Sequence, residues 1–142
     1  MTLDWRNQMR HNPFGTTAAG AAVVLGGLGL VLGADVSQGM TNSLRGSADI
    51  VAHLWGGAFA AGGVLKLVGL YRHRSEVEIP GLWMLTGGYA FYSITVTVGL
   101  GVHGLAAGTI SAALTIGCLL KARNIMRSAR MAARLRPRPD GS

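Results

Sequence analysis

The chain has 142 residues, a formal net charge of +7 and 13% charged residues, about half the share usual in soluble domains. Its 22 glycines are about twice the usual frequency. The length allows one domain, and the composition excludes an ordinary soluble one: with so few charges, water would meet a large apolar surface that lipid would solvate. A lone cysteine, Cys118, excludes an intrachain disulfide and zinc-type spacing.

Met1–Phe14 is a polar, amphipathic start carrying Asp4, Arg6, Arg10 and His11, and Asn12-Pro13 marks a turn at a helix start. Thr16–Ala34 follows, 19 residues without a charge. At ~1.5 Å per residue it nearly matches a hydrocarbon core of about 30 Å. A secretory signal peptide is the rival reading. The run exceeds a signal core of about 7–15 residues, and Leu32-Gly33-Ala34 is a poor cleavage site, so it is taken as the first span.

Asp35–Ser47 is expected to be a polar loop, with Ser47 or Asp49 capping the next helix. The second span is about residues 48–70. Lys66, near its end, is expected to snorkel to the interface. A charged turn, Tyr71–Gly81, follows, in which Arg72 and Arg74 can pair with Glu76 and Glu78. Pro80 is expected to open the third span, about 82–100, and Gly99–Gly104 makes a tight uncharged connection. The fourth span is about 105–120; its helix should continue towards Leu135 until Pro137 and Pro139 stop it.

Basic residues set the orientation. Arg6 and Arg10 precede span one, Arg72 and Arg74 lie between spans two and three, and seven Lys or Arg residues follow span four. The other two loops carry only Arg45. All the clusters share one side if both termini are cytoplasmic, and four spans satisfy that parity. The expected fold is therefore all-α: an integral membrane four-helix bundle, with its fourth helix extended into a basic tail. Residues 1–15 form the N-terminal segment, 16–120 the transmembrane domain and 121–142 the cytoplasmic tail.

Small residues recur at helical spacing. Gly29 and Gly33 form a GxxxG after Ala18, Ala22 and Gly26; Ala52, Gly56 and Ala60 are in register with Gly62-Gly63 beyond; Gly104, Gly108 and Ala112 open span four. Such rows let helices approach closely, within one chain or between copies. Thr86, Ala90, Ser93 and Thr97 share a face of span three, a polar stripe suited to a water-filled path or to bonding with helix backbone. Trp83, Tyr89, Phe91 and Tyr92 flank it, as in an interfacial aromatic belt. Asp49 and His53 are spaced i, i+4 and share the outer side with His103, a set for weak proton or metal sensing, or simply a local hydrogen-bonded pair. Arg123, Arg127, Arg130 and Arg134 line one helix face, fit for anionic lipid headgroups; phosphates of nucleic acid are the lesser option, because the tail has no aromatic residue. No carboxylate lies deep in a span, no catalytic set is present, and no cofactor or metal site is expected.

Three stretches carry a resemblance: Trp5…His11-Asn12-Pro13-Phe14-Gly15, Gly62-Gly63-Val64-Leu65…Gly69-Leu70 and Glu78-Ile79-Pro80-Gly81-Leu82. With them the chain resembles the small Gly/Ala-rich multi-span membrane proteins of actinobacterial bacteriophages. Some of those are regarded as holins, which accumulate in the cytoplasmic membrane and assemble into lesions; four spans exceed the one to three usual among them. The resemblance implies a self-associating, membrane-permeabilising protein whose partners are the bilayer and further copies of itself. A non-enzymatic accessory subunit of a larger membrane complex or virion component, and a small channel or transporter, are the alternatives.

Overall fold

The structure is a computed structural model that describes residues 12–135, and every regular element among them is helical. Asp4, Arg6, Arg10 and His11 lie outside the described residues, as do Arg136, Pro137, Arg138 and Pro139. Helix α1 is Pro13–Leu32. Asn12 caps it, its side-chain oxygen accepting the Gly15 amide at 3.3 Å, with Pro13 in the first turn where no amide hydrogen is needed. Gly33 ends it at φ 58°, a backbone state that favours glycine.

The expected loop 35–47 is helical instead. A 3-10 turn Gly33–Val36, helix α2 (Gln38–Leu44) and a second 3-10 turn Arg45–Ser47 fill it. Its polarity misled, because the polar groups face helix backbone as well as water. The Ser43 hydroxyl shares its one hydrogen between the carbonyls of Gly39 and Thr95, and the Asn42 amide donates to Gly99 at 3.2 Å. Met40 is buried among the core residues.

Helix α3 is Ala48–Tyr71 and α4 is Ser75–Leu100. The charged turn is thus shorter than expected, and Pro80 lies inside α4 rather than before it. The carbonyl that Pro80 leaves unpaired belongs to exposed Glu76, which makes the break cheap. Glu76 and Glu78 occupy the first turn, where the helix dipole favours acids. A 3-10 turn, Gly101–Gly104, leads into α5, Leu105–Leu135.

By length and apolar composition, three continuous helical stretches can cross a membrane: Pro13–Val36, Gln38–Tyr71 and Ser75–Arg134. The expected count of four is not separated in the backbone, because α4 runs into α5 through helical turns alone. That last stretch is folded back on itself. Gly101 at φ 54° reverses the chain, and the Ser93 hydroxyl donates to the Gly108 carbonyl at 2.7 Å across the hairpin.

The helices pack in the order α1, α3, α4, α5, with α2 on α4. Helix α3 is central because it carries two seams. Residues 55, 59, 62, 66 and 69 follow a three–four spacing and face α4. Gly56, Ala60 and Gly63 face α1. A Cβ on Gly26 would lie 2.5 Å from the Ala60 nitrogen, and one on Gly56 2.7 Å from the Gly26 carbonyl oxygen. Backbone thus meets backbone, and no rotamer can relieve an added side chain.

Gly26→Val should therefore destabilise the fold by about 1–3 kcal/mol, the usual cost of overpacking. Gly27→Val, where a Cβ meets nothing within 4 Å, should change the thermal midpoint in detergent little. Equal midpoints for the two variants would contradict this seam.

Candidate functional site

Two features stand out in the packed helices. The first is an aromatic floor. Trp55 and Phe59 lie one turn apart on α3, and Tyr89 and Tyr92 one turn apart on α4. Trp55 stacks on Phe59 at 5.0 Å and on Tyr92 at 5.8 Å, and Phe59 meets Tyr89 edge-on at 4.7 Å. The Trp55 indole N–H donates to the Gly88 carbonyl at 3.0 Å, and the Tyr89 hydroxyl to the Ala18 carbonyl at 2.8 Å. Trp55 and Tyr89 thus bury their rings and find partners for their polar tips.

Above this floor is a cleft of about 240 Å³, walled by Ala21 and Leu25 of α1 and by Ile110 and Leu114 of α5. The expected aromatic belt is corrected here. Tyr89 is buried inside the bundle, whereas Trp83 remains exposed. The i, i+4 spacing of Trp55 and Phe59 and the i, i+3 spacing of Tyr89 and Tyr92 were the available sequence signals.

The second feature is charged. Lys66 does not snorkel; only 2% of it is exposed. It lies on the α4-facing seam of α3, where its backbone meets Gly81: a Cβ there would stand 2.6 Å from the Lys66 nitrogen. Glu78 packs on Gly69 one turn nearer the helix ends, and it pairs with neither Arg72 nor Arg74. Its Oε1 forms an ion pair with Lys121 Nζ of α5 at 2.7 Å, with side-chain exposures of 11% and 27%. Both atoms are shut off from solvent, and neither has an aligned hydrogen-bond partner. Buried Cys118, one turn before Lys121, completes the group.

Gly29 packs on Gly56, Gly62 on Met84, Gly104 on the Val96 carbonyl and Gly108 on the Thr97 hydroxyl. Gly33 is outside helix α1, and its GxxxG partnership with Gly29 is replaced by a cap against Asp49 and His53. In the polar stripe, Thr86 donates to Leu82 within its own helix at 2.8 Å, while Ser93 and Thr97 face α5. His53 Nδ1 is 2.8 Å from the Asp49 carbonyl oxygen and 3.7 Å from its carboxylate. Asp49 turns instead to the Ala34 amide, at 3.3 Å.

His103 sits exposed at the α4–α5 reversal and does not join that pair in a metal site. Among the described residues no three His, Cys, Asp or Glu side chains gather to hold an ion. Arg123, Arg127, Arg130 and Arg134 are all exposed along α5.

Removing one member of the buried ion pair leaves the other uncompensated. Glu78→Gln should cost about 3–5 kcal/mol, less the share that solvent at Lys121 restores. The double variant Glu78→Gln/Lys121→Met should recover most of the loss. Additive losses in an unfolding cycle would show that the pair does not couple α4 to α5.

Comparison with known protein families, curated proteins and solved structures finds no significant match to the chain.

Proposed function

We propose that the chain is a four-pass protein of the cytoplasmic membrane with both termini inside, and that it acts as a holin-like protein, associating with further copies and permeabilising the membrane. The observation that carries this reading is the outer surface of the long helices. Val31, Leu54, Val98 and Ile110, one from each of α1, α3, α4 and α5, are all more than three-fifths exposed. Exposed apolar faces on every long helix suit a chain surrounded by lipid or by copies of itself.

The four passes come from treating α4 and α5 as a hairpin turned at Gly101–Gly104. That turn carries no Lys, Arg, Asp or Glu, whereas Arg72, Arg74 and the tail arginines then share the cytoplasmic side. The tail stripe would rest on anionic headgroups, each basic residue contributing about 1 kcal/mol near the surface.

Self-association is assigned to the lipid-facing sides of α1 and α5, because the glycine seams are filled within the chain. That same occupancy favours a second reading, a non-enzymatic accessory subunit that docks on a larger membrane complex as a finished unit.

Topology is tested with single cysteines in a Cys118→Ser background and a membrane-impermeant thiol reagent. Gly46→Cys and Val102→Cys should label on intact cells, and His73→Cys only after lysis. A protected Val102→Cys would reduce the passes to three. Function is tested by induced expression in a bacterial host. Normal growth that ends in abrupt depolarisation supports lesion formation. Steady growth with abundant membrane-inserted protein rejects it and favours the accessory subunit, to be sought by gentle co-purification.

A further inference from the structure

The group formed by Lys66, Glu78 and Lys121 is out of balance. Two lysines and one carboxylate meet where α3 and α4 touch at Gly69 and Gly81, and the remaining neighbour, Cys118, contributes at most a weak thiol donor. Each ammonium has three N–H donors. Lys121 Nζ has the Glu78 oxygen beside it but no aligned acceptor, and no hydrogen bond or ion pair of Lys66 Nζ is formed among the described residues. Buried donors without acceptors, and a buried charge without a counterion, are both costly. What the group lacks is a negative ligand made only of acceptors.

Depth points to the source. Lys66 is five residues from the end of α3, and Glu78 three from the start of α4, so the group lies roughly 5–8 Å inside the helix ends. On the proposed topology this is the cytoplasmic margin of the hydrocarbon core, next to the interfacial layer where lipid phosphates lie. Basic pockets between helices at this level suit anionic headgroups. Lys121 reaches in from the exposed side, its side chain 27% exposed and its Nζ closed off, and Lys66, at 2%, is the more buried of the two lysines.

We propose that the cytoplasmic ends of α3, α4 and α5 form a phosphate-binding site, in which Lys66 and Lys121 hold the oxygens of one phosphate group and Glu78 fixes Lys121 in place. The site rests on the membrane-embedded reading but not on lesion formation. It is separate from the exposed arginine stripe, which any anionic surface would attract. Its ligand is a lipid headgroup or free phosphate, and the two sources have different signatures.

The test uses the full chain with the tail arginines Arg123, Arg127, Arg130 and Arg134 changed to Gln, so that surface attraction is removed. Flotation with phosphatidylcholine vesicles first reports insertion. The protein is then placed in phosphatidylcholine discs with and without phosphatidylglycerol, and in detergent with and without inorganic phosphate. Retained lipid is counted by native mass spectrometry, and the thermal midpoint is recorded.

Retention of phosphatidylglycerol ~tenfold over phosphatidylcholine, the scale of one charge-assisted hydrogen bond, is the expected result. Lys66→Met should abolish it. In phosphatidylcholine alone, Lys66→Met should melt at or above the parent, because an apolar side chain replaces an uncompensated charge. Adding phosphatidylglycerol should reverse that order.

A midpoint raised equally by inorganic phosphate identifies free phosphate as the ligand. A protein that floats yet shows no preference for either anion overturns the site and leaves the membrane reading standing; this holds whether or not the Lys66→Met variant folds. A protein that fails to float overturns both.

Discussion

Close backbone contact along α3 is the constraint on which the other features depend. Two seams run down this helix, one through Gly56, Ala60 and Gly63 towards α1, the other through Trp55, Phe59, Gly62, Lys66 and Gly69 towards α4. Adjacent residues such as Gly62 and Gly63 are turned about 100° apart on a helix of about 3.6 residues per turn. Helices α1 and α4 must therefore sit around a corner of α3 rather than on opposite sides of it. The row α1–α3–α4–α5 is bent by that corner, and its two end helices face each other across the aromatic cleft. In lipid such contact is favourable without any hydrophobic force between helices, since dispersion alone rewards close approach.

The corner also explains where the polar atoms go. A helix interior without water must match its own donors. Tyr89 reaches from α4 to the Ala18 carbonyl of α1, and Trp55 from α3 to the Gly88 carbonyl of α4. Both acceptors are already helix carbonyls with a spare lone pair, so no new acceptor has to be buried. The hydroxyls of Ser43 and Ser93 do the same on either side of α4, tying α2 and α5 to it. Tyr89 thus fastens α1 to α4, while the other three bonds reinforce helix pairs that glycines already bring close.

The long apolar runs were legible because charge is absent from them, a signal that averages over about twenty residues. Errors arose where a single residue had two possible environments. Lys66 looks like a snorkelling lysine by distance from the helix end, but its place in the series 55, 59, 62, 66, 69 puts it on the packed seam. Glu78 has basic neighbours in the turn, yet its partner comes from residue 121. Only tertiary structure supplies that contact. Gly33 fits a GxxxG by spacing, but the chain turns there, and the glycine serves φ and a close approach to Asp49 and His53 instead of a helix–helix seam. The stretch 35–47 has loop composition and short helical structure, because its serines and asparagine bond to backbone across the fold. Of the candidate sites, the buried charged group was hidden by exactly these local readings, whereas the exposed arginine stripe needed nothing beyond its own helix.

Where copies would meet follows from what the single chain already uses. Small-residue faces are the usual means of joining membrane helices, but here a Cβ on Gly26, Gly56, Gly63 or Gly81 would strike the same chain's backbone. A partner cannot reach those atoms unless the protomer opens. The surfaces left mix branched aliphatics with open glycines, with Gly20, Val24, Gly27 and Val31 on α1 and Ile110, Ile116 and Gly117 on α5, beside the mouth of the cleft. The aliphatic parts of such faces compete with lipid on nearly equal terms, since acyl chains are as apolar as the side chains they would replace, and only the few open glycines allow a closer approach. Association on the proposed holin-like reading would then be weak for each pair and steep in concentration. A protein could accumulate harmlessly under those terms until its density in the membrane, rather than any change within the protomer, brought assembly about.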